Sequence, residues 1–265
     1  MIKLIATDID GTLLNYDRTV PNKLMPCLKI LENQGIKVVP VTGRMYKAAI
    51  KIYNQLNLKD ALVSYQGGQI NDFDGKIIYQ KVLNKAQIKK GINWAWENNV
   101  HLQIYTNDNL YAENDNDFIQ RYSFEQNVPY NVVNFYDLQA EYASKMLAVD
   151  FDNPDRVTKW VNELTEMFPE CFIVKSTPYF CEISHKNANK YDAVKFLQNY
   201  YGMKDDEVLT IGDQNNDIAL LQAGGVKVAM GNATDELKSC ATYVTDDVYN
   251  NGWVNAIEHF LTYKK

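Results

Sequence analysis

Apolar and polar positions alternate along this chain in two distinct rhythms. Near the start, Leu4-Ile5-Ala6 opens an apolar run that stops at two carboxylates, Asp8 and Asp10, and Gly11-Thr12 turns the backbone straight afterwards. Near-continuous apolar runs mark strands buried on both faces of a parallel sheet. Leu24, Leu28 and Leu31 then recur at helical spacing, which predicts a helix from Pro21 to about Asn33, stopped by Gly35. Ile36 to Val41 reads as a second buried strand, ending at Thr42-Gly43-Arg44 and followed by a helix through about Gln55. Ala61 to Ser64 reads as a third strand, closing on Gln66-Gly67-Gly68. Strand, helix, strand, helix, strand is the signature of a doubly wound parallel sheet. Two further short runs around Asp74-Gly75 predict a hairpin.

From about Asn84 the rhythm changes. A helix is predicted over 85–98, then an alternating, half-exposed strand from Val100 to Tyr105 and a turn at Asn107-Asp108-Asn109. Further helices fall at 115–126 and 154–168, with strands near 145–151, 171–175 and 179–184. Antiparallel strands with helices on one face predict an α+β module. From about Lys186 the first rhythm returns. A helix over 189–201 leads to a strand, Glu207 to Ile211, that runs into Gly212-Asp213-Gln214-Asn215-Asn216-Asp217. A helical turn from Ile218, a strand from Val226 and helices near 234–239 and 252–262 follow. The predicted architecture is α/β: a doubly wound parallel-sheet core from residues 1–83 and 186–265, with a large α+β cap domain, 84–185, inserted.

Composition narrows the partners. In 265 residues, 46% hydrophobic and 23% charged content predict a sizeable core and no disorder. A net charge of −6 argues against nucleic acid or an anionic membrane as partner, so an anionic ligand must be held by local cations. No apolar stretch approaches the ~20 residues of a membrane-spanning helix. Asp8 breaks the first apolar run too early for a signal peptide. Cys27, Cys171, Cys181 and Cys240 form no Cys-x-x-Cys pair, which predicts reduced, buried thiols in a cytoplasmic protein. His101, His185 and His259 lack metal-ligand spacing and are read as structural or exposed.

Each strand of the outer segments ends in something polar: Asp8 and Asp10, then Thr42-Gly43, then Asp213 with Asn216 and Asp217. In an open α/β sheet these ends gather on one edge, where ligands bind. Carboxylates collected there repel one another unless a cation lies among them or one is protonated. Such a hard-oxygen set suits Mg²⁺, which takes one or two carboxylates together with phosphate oxygens. Thr42 and Gly43, where a strand turns into a helix, are placed to hold a phosphate oxygen, and Lys190 supplies a positive point charge. A calcium loop is disfavoured, because Gly11 comes too early and Thr19 stands where a Glu is required.

Asp8-Ile9-Asp10-Gly11-Thr12 resembles the first motif of the haloacid dehalogenase superfamily. Thr42-Gly43-Arg44, Lys190, the Gly212–Asp217 run and Val228-Ala229-Met230-Gly231-Asn232-Ala233 resemble the further motifs of its Cof-type branch. That resemblance implies a Mg²⁺-dependent phosphatase acting on a small phosphorylated metabolite, a sugar phosphate, through an aspartyl-phosphate on Asp8. Asp10 is implied as general acid and base. Ile9, Thr42, Gly43, Lys190 and Asn216 are implied to bind the phosphoryl group. Asp8, the main-chain carbonyl of Asp10 and Asp213 are implied to hold the metal, with Thr12, Asp217 and Arg44 supporting them. Gln66, Tyr191 and Asn251 depart from the branch's usual Asn, Gly and Asp. A phosphomutase using the same intermediate and a silent metabolite-binding protein are the competing readings. Oligomeric state leaves no mark on the sequence.

Overall fold

The computed structural model of the chain describes residues 1–261. Strand β1 (Leu4–Thr7) is buried at every position, as its apolar run predicts. Helix α1 (Leu24–Asn33) begins three residues later than Pro21, and Pro26 falls in its first turn, where the missing N–H has no helical partner to lose. Strand β2 (Lys37–Pro40) and helix α2 (Tyr46–Gln55) follow. Strand β3 (Leu62–Ser64) is not a full member of the main sheet. A single parallel bridge, Val41 to Val63, joins it to the end of β2, and it pairs instead with β4 (Gln69–Asn71), next to β5 (Ile77–Gln80), in a small sheet.

The middle of the chain forms a compact unit of residues 45–48 and 80–188. A two-stranded ribbon pairs β6 (Leu83–Asn84) with β10 (Tyr142–Ala143), and helix α3 (Lys85–Glu97) starts in a reciprocal cap between Asn84 and Gln87. Strands β7 (His101–Thr106), β8 (Asn109–Ala112), β9 (Tyr130–Val132), β11 (Lys145–Val149), β12 (Cys171–Thr177) and β13 (Phe180–His185) build a sheet ordered β12-β13-β11-β7-β8-β9. Helix α4 (Asp117–Gln126) lies between β8 and β9 in the chain, and α5 (Pro154–Met167) starts on Asn153 with Pro154 at its head. Alternate residues Met146 and Ala148 of β11 pack with Leu102, Ile104, Cys181 and Ile183 against Ile88 and Ala95 of α3 and Trp160 and Leu164 of α5. That is the predicted one-sided α+β arrangement. Strands β6, β9 and β10 carry no run long enough to announce them, and their partners alone define them.

The other compact unit comprises residues 1–44, 49–79 and 189 onward. Helix α6 (Lys190–Tyr201) is N-capped by Asn189, whose side chain accepts the Asp192 N–H at 2.8 Å. Strand β14 (Val208–Gly212), helix α7 (Ile218–Ala223), strand β15 (Val226–Ala229), helix α8 (Asp235–Cys240), strand β16 (Tyr243–Val244) and helix α9 (Gly252–Phe260) complete the order. Residue 262, the predicted end of the last helix, lies outside the described residues. The main sheet runs β16-β15-β14-β1-β2, with β1 parallel to both β14 and β2. From β1 the chain winds outward to β2, and from β14 it winds the opposite way to β15 and β16. The β1–β14 boundary is therefore the topological switch point, where α/β sheets bind ligands. Leu4, Ala6, Val39, Val208, Ala193, Leu197 and Leu220 form the core around it. Cys27 and Cys181 are buried as predicted, while Cys171 and Cys240 are half-buried. Among the described residues no helix is long and apolar enough to cross a membrane.

Candidate active site

Asp8 leaves the end of β1, and its N–H donates to Ile211 O of β14 at 3.0 Å. Thr7 fixes the carbonyl side: its hydroxyl donates to Asp8 O at 2.9 Å and accepts the Trp253 indole N–H at 3.1 Å. Asp213 follows the last residue of β14, and Asp217 stands four residues on. Carboxylate oxygens of Asp8, Asp213 and Asp217, all buried, lie within 4.8 Å of one another. Lys190 enters this group from the first turn of α6, donating from Nζ to Asp8 Oδ1 and to Asp217 Oδ1, both at 2.6 Å, with its side chain 1% exposed. A lysine at a helix N-terminus opposes the helix dipole, so the two carboxylates outweigh the local preference.

Burial pushes the Asp8 carboxyl well above the usual carboxylate range; Lys190 opposes this, while Asp217 and Asp213 reinforce it. Asp213 is raised too, by burial foremost. Burial alone would lower Lys190, but Asp217 and Asp8 outweigh it and hold the ammonium above the ordinary lysine range. Three carboxylates against one ammonium leave an excess of two negative charges in a buried, all-oxygen cluster. That donor set and that charge fit a hard divalent cation such as Mg²⁺. Asp217 is already committed, because its Oδ2 accepts the Asp213 and Gln214 N–H groups at 3.0 and 3.1 Å. Asp8 and Asp213 are thus the carboxylates best placed to hold the ion.

The carboxylate of Asp10 is not in this cluster. Arg44 grips it, Nε to Oδ2 at 2.7 Å and Nη2 to Oδ1 at 2.6 Å. Thr12 donates from its hydroxyl to Asp213 Oδ1 at 3.0 Å. Ile9 has a fully buried side chain, so only its main chain is available to a ligand. Thr42 is buried, and its hydroxyl accepts the Arg44 N–H at 3.2 Å. Gln66 N–H donates to Thr42 O at 3.0 Å, which ties the turn after β3 to the turn after β2. Tyr65, Gln66 and Gly67 all have positive φ, of 54°, 57° and 99°. Consecutive left-handed residues store strain, and such strain clusters at functional sites. The result aims Gln66 across Gly43: a Cβ on Gly43 would lie 2.4 Å from Gln66 Nε2, and Asn216 Nδ2 donates to Gln66 Oε1 at 3.3 Å.

The structure therefore brings together Asp8, Lys190, Asp213 and Asp217, places Thr42, Gly43 and Asn216 around Gln66, and pairs Asp10 with Arg44. Two contributors escape the sequence reading. Gln66 registers there only as a departure from a pattern. Tyr16 has no signal at all, yet its hydroxyl donates to Asp213 Oδ2 at 2.8 Å.

Residues 5–257 match the family of haloacid dehalogenase-like hydrolases. A crystal structure of a haloacid dehalogenase-like hydrolase from Bacteroides thetaiotaomicron superposes with a TM-score of 0.90 at 26% identity, covering 98% of this chain and 100% of that one. A 5-amino-6-(5-phospho-D-ribitylamino)uracil phosphatase of Bacillus subtilis is 29% identical over 98% of this chain and 96% of its own length. A phosphoglycolate phosphatase of Methanobrevibacter smithii is 28% identical over 98% of this chain and 99% of its own. Two relatives at nearly equal distance thus carry different substrates in their names.

Proposed function

The chain belongs to the haloacid dehalogenase-like hydrolases, and from that premise we propose a Mg²⁺-dependent phosphatase of the Cof-type branch, acting on a small phosphorylated metabolite, a sugar phosphate. The observation that carries this reading is the buried meeting of Asp8 with Lys190, Asp213 and Asp217 at the switch point of a parallel sheet.

Asp8 attacks phosphorus through a carboxylate oxygen, and the ester P–O bond breaks to leave an aspartyl-phosphate. Asp10, entering the step protonated, gives its proton to the departing oxygen and then takes one from the water that hydrolyses the intermediate, so that phosphate leaves, Asp8 returns to the carboxylate and Asp10 to the acid. Arg44 fixes the orientation of the Asp10 carboxyl group. Lys190 offsets the repulsion between Asp8 and an incoming phosphate, because its ammonium is already lodged against Asp8. The Ile9 main chain, Thr42, Gly43 and Asn216 orient the phosphoryl oxygens, whose chemistry rests on positioning and charge stabilisation. Asp8, Asp213 and the Asp10 main-chain carbonyl would hold Mg²⁺, which when bound would further neutralise the phosphoryl charge. Selection among substrates falls to the inserted segment 84–185.

Asp8→Asn is the decisive test, assayed on phosphorylated sugars with Mg²⁺ and with chelator. Loss of phosphate release in a variant that melts like the parent supports the reading; retained turnover overturns it. Mass balance separates hydrolysis, which yields free phosphate, from mutase chemistry, which yields an isomeric phosphate. Absence of metal-dependent turnover across the screen favours a silent binding protein.

A further inference from the structure

Tyr16 lies in the loop after the first motif and is half exposed, but its hydroxyl is fully engaged. It donates to Asp213 Oδ2 at 2.8 Å and accepts from Asn232 Nδ2 at 3.0 Å. Asn232 is itself fixed: its Nδ2 also donates to Gly11 O at 2.9 Å, and its Oδ1 accepts the Val248 N–H at 2.9 Å. The ring is seated by a missing side chain. A Cβ on Gly11, whose φ is +79°, would lie 2.6 Å from Tyr16 Cε1 and 2.5 Å from Asp213 Oδ2. Gly11 therefore serves two needs, a left-handed turn and the space that admits Tyr16 to Asp213.

The donors on Asp213 are unevenly divided. Oδ2 accepts from Tyr16 and from Gln214 Nε2 at 3.0 Å, which fills both of its lone-pair directions. Among the described residues Oδ1 accepts only from Thr12, at 3.0 Å, and keeps one direction open. A cation at this carboxylate is taken by Oδ1 without disturbing Tyr16. Hydrogen bonds to the far oxygen of a ligating carboxylate fix its plane, and losing one costs about 10–100-fold in metal affinity.

We propose that Tyr16 is a positioning residue for metal binding, locking the Asp213 carboxylate through its hydroxyl so that Oδ1 faces the ion. The inference rests on the metal-dependent reading given above, and one experiment separates the two. Mg²⁺ and Mn²⁺ are titrated calorimetrically into the parent and into Tyr16→Phe, which removes the hydroxyl and keeps the ring over Gly11. The expected result is binding to the parent and about tenfold or more weaker binding to the variant. The melting temperature of the metal-free variant stays near that of the parent, and kcat recovers at saturating metal. Equal affinity within twofold, or tighter binding by Tyr16→Phe, overturns the role of Tyr16 while leaving the metal site standing. No binding to the parent overturns the metal-dependent reading and the role of Tyr16 with it.

Discussion

Arg44 holds Asp10 by both carboxylate oxygens, its Nε and Nη2 reaching Oδ2 and Oδ1 at 2.7 and 2.6 Å. A planar fork on a planar acceptor fixes orientation as well as distance. The pair accounts for why two carboxylates separated by one residue, Asp8 and Asp10, do different things. One is drawn to Lys190 in the buried cluster, and the other is drawn out of it by Arg44.

Replacing Arg44 with Ala is expected to lower kcat about 10–100-fold, less than the roughly 10²–10⁴-fold of a whole general acid–base contribution, because Asp10 itself remains. Stability should change by only about 0–1 kcal/mol, since Asp10 is 42% exposed and water screens the pair. Arg44→Lys should restore little, because a point charge cannot reproduce the fork. Steady-state kinetics with matched urea titrations check this. An unchanged kcat in Arg44→Ala removes the arginine from the reaction.

Much of this is legible in sequence because the constraints are local. Leu4-Ile5-Ala6 has to be a doubly buried strand, and a carboxylate directly after such a strand has to sit at the sheet edge. The same logic brings Asp213 to Asp8, since β14 neighbours β1. What stays hidden is set by pairing across long stretches of chain. Nothing near Tyr16 indicates that Asn232, more than two hundred residues on, will hold its hydroxyl against Asp213. Helical periodicity places Lys190 at the start of α6 but gives no sign that Asp217 and Asp8 will both receive it. The short strands β6, β9, β10 and β16 are invisible for a related reason: two or three residues carry no period.

Lys190→Met should be costly even without substrate. The lysine is the cation shared by Asp8 and Asp217, and its removal leaves buried carboxylates unpaired, worth about 3–5 kcal/mol. Adding Asp217→Asn removes one of those charges and should recover part of the loss. Urea unfolding of the parent, single and double variants measures this. A single variant as stable as the parent shows that the cluster is not held by charge pairing.

Gly67 links the strained turn to that lysine. Its φ is +99°, and a Cβ there would meet Asn189 O at 2.1 Å, on the residue that caps α6. Gly67→Ala therefore forces either the turn or the head of α6 to shift, at a cost above about 2 kcal/mol. Because Lys190 and Gln66 both move with that contact, KM for a phosphorylated substrate and the inhibition constant for inorganic phosphate should rise together. Gly35→Ala, also at positive φ but with no atom within 4 Å, is the control for backbone strain alone. Equal effects of the two substitutions on phosphate inhibition reject the link.

Mild acid should destabilise the inserted unit through His101. Burial lowers its imidazole from 6.5 to about 4. Asn116 shows why the neutral ring is built in. Its Oδ1 caps α4 by accepting the Ile119 N–H at 3.2 Å, so its Nδ2 faces His101 Nδ1 at 3.2 Å and needs an acceptor there. In the unfolded chain the ring protonates near pH 6.5, whereas in the folded chain it stays neutral down to about pH 4. The unfolded state thus binds more protons throughout that window, and stability falls as pH drops from 6.5 towards 4. At pH 5 the loss traceable to His101 is about 2 kcal/mol, from the portion of the window already crossed. His101→Gln keeps a polar group beside Asn116 without the titration, and it should show a flatter decline in unfolding free energy from pH 7 to 5. Parallel declines in the two proteins show that His101 is not the group that titrates.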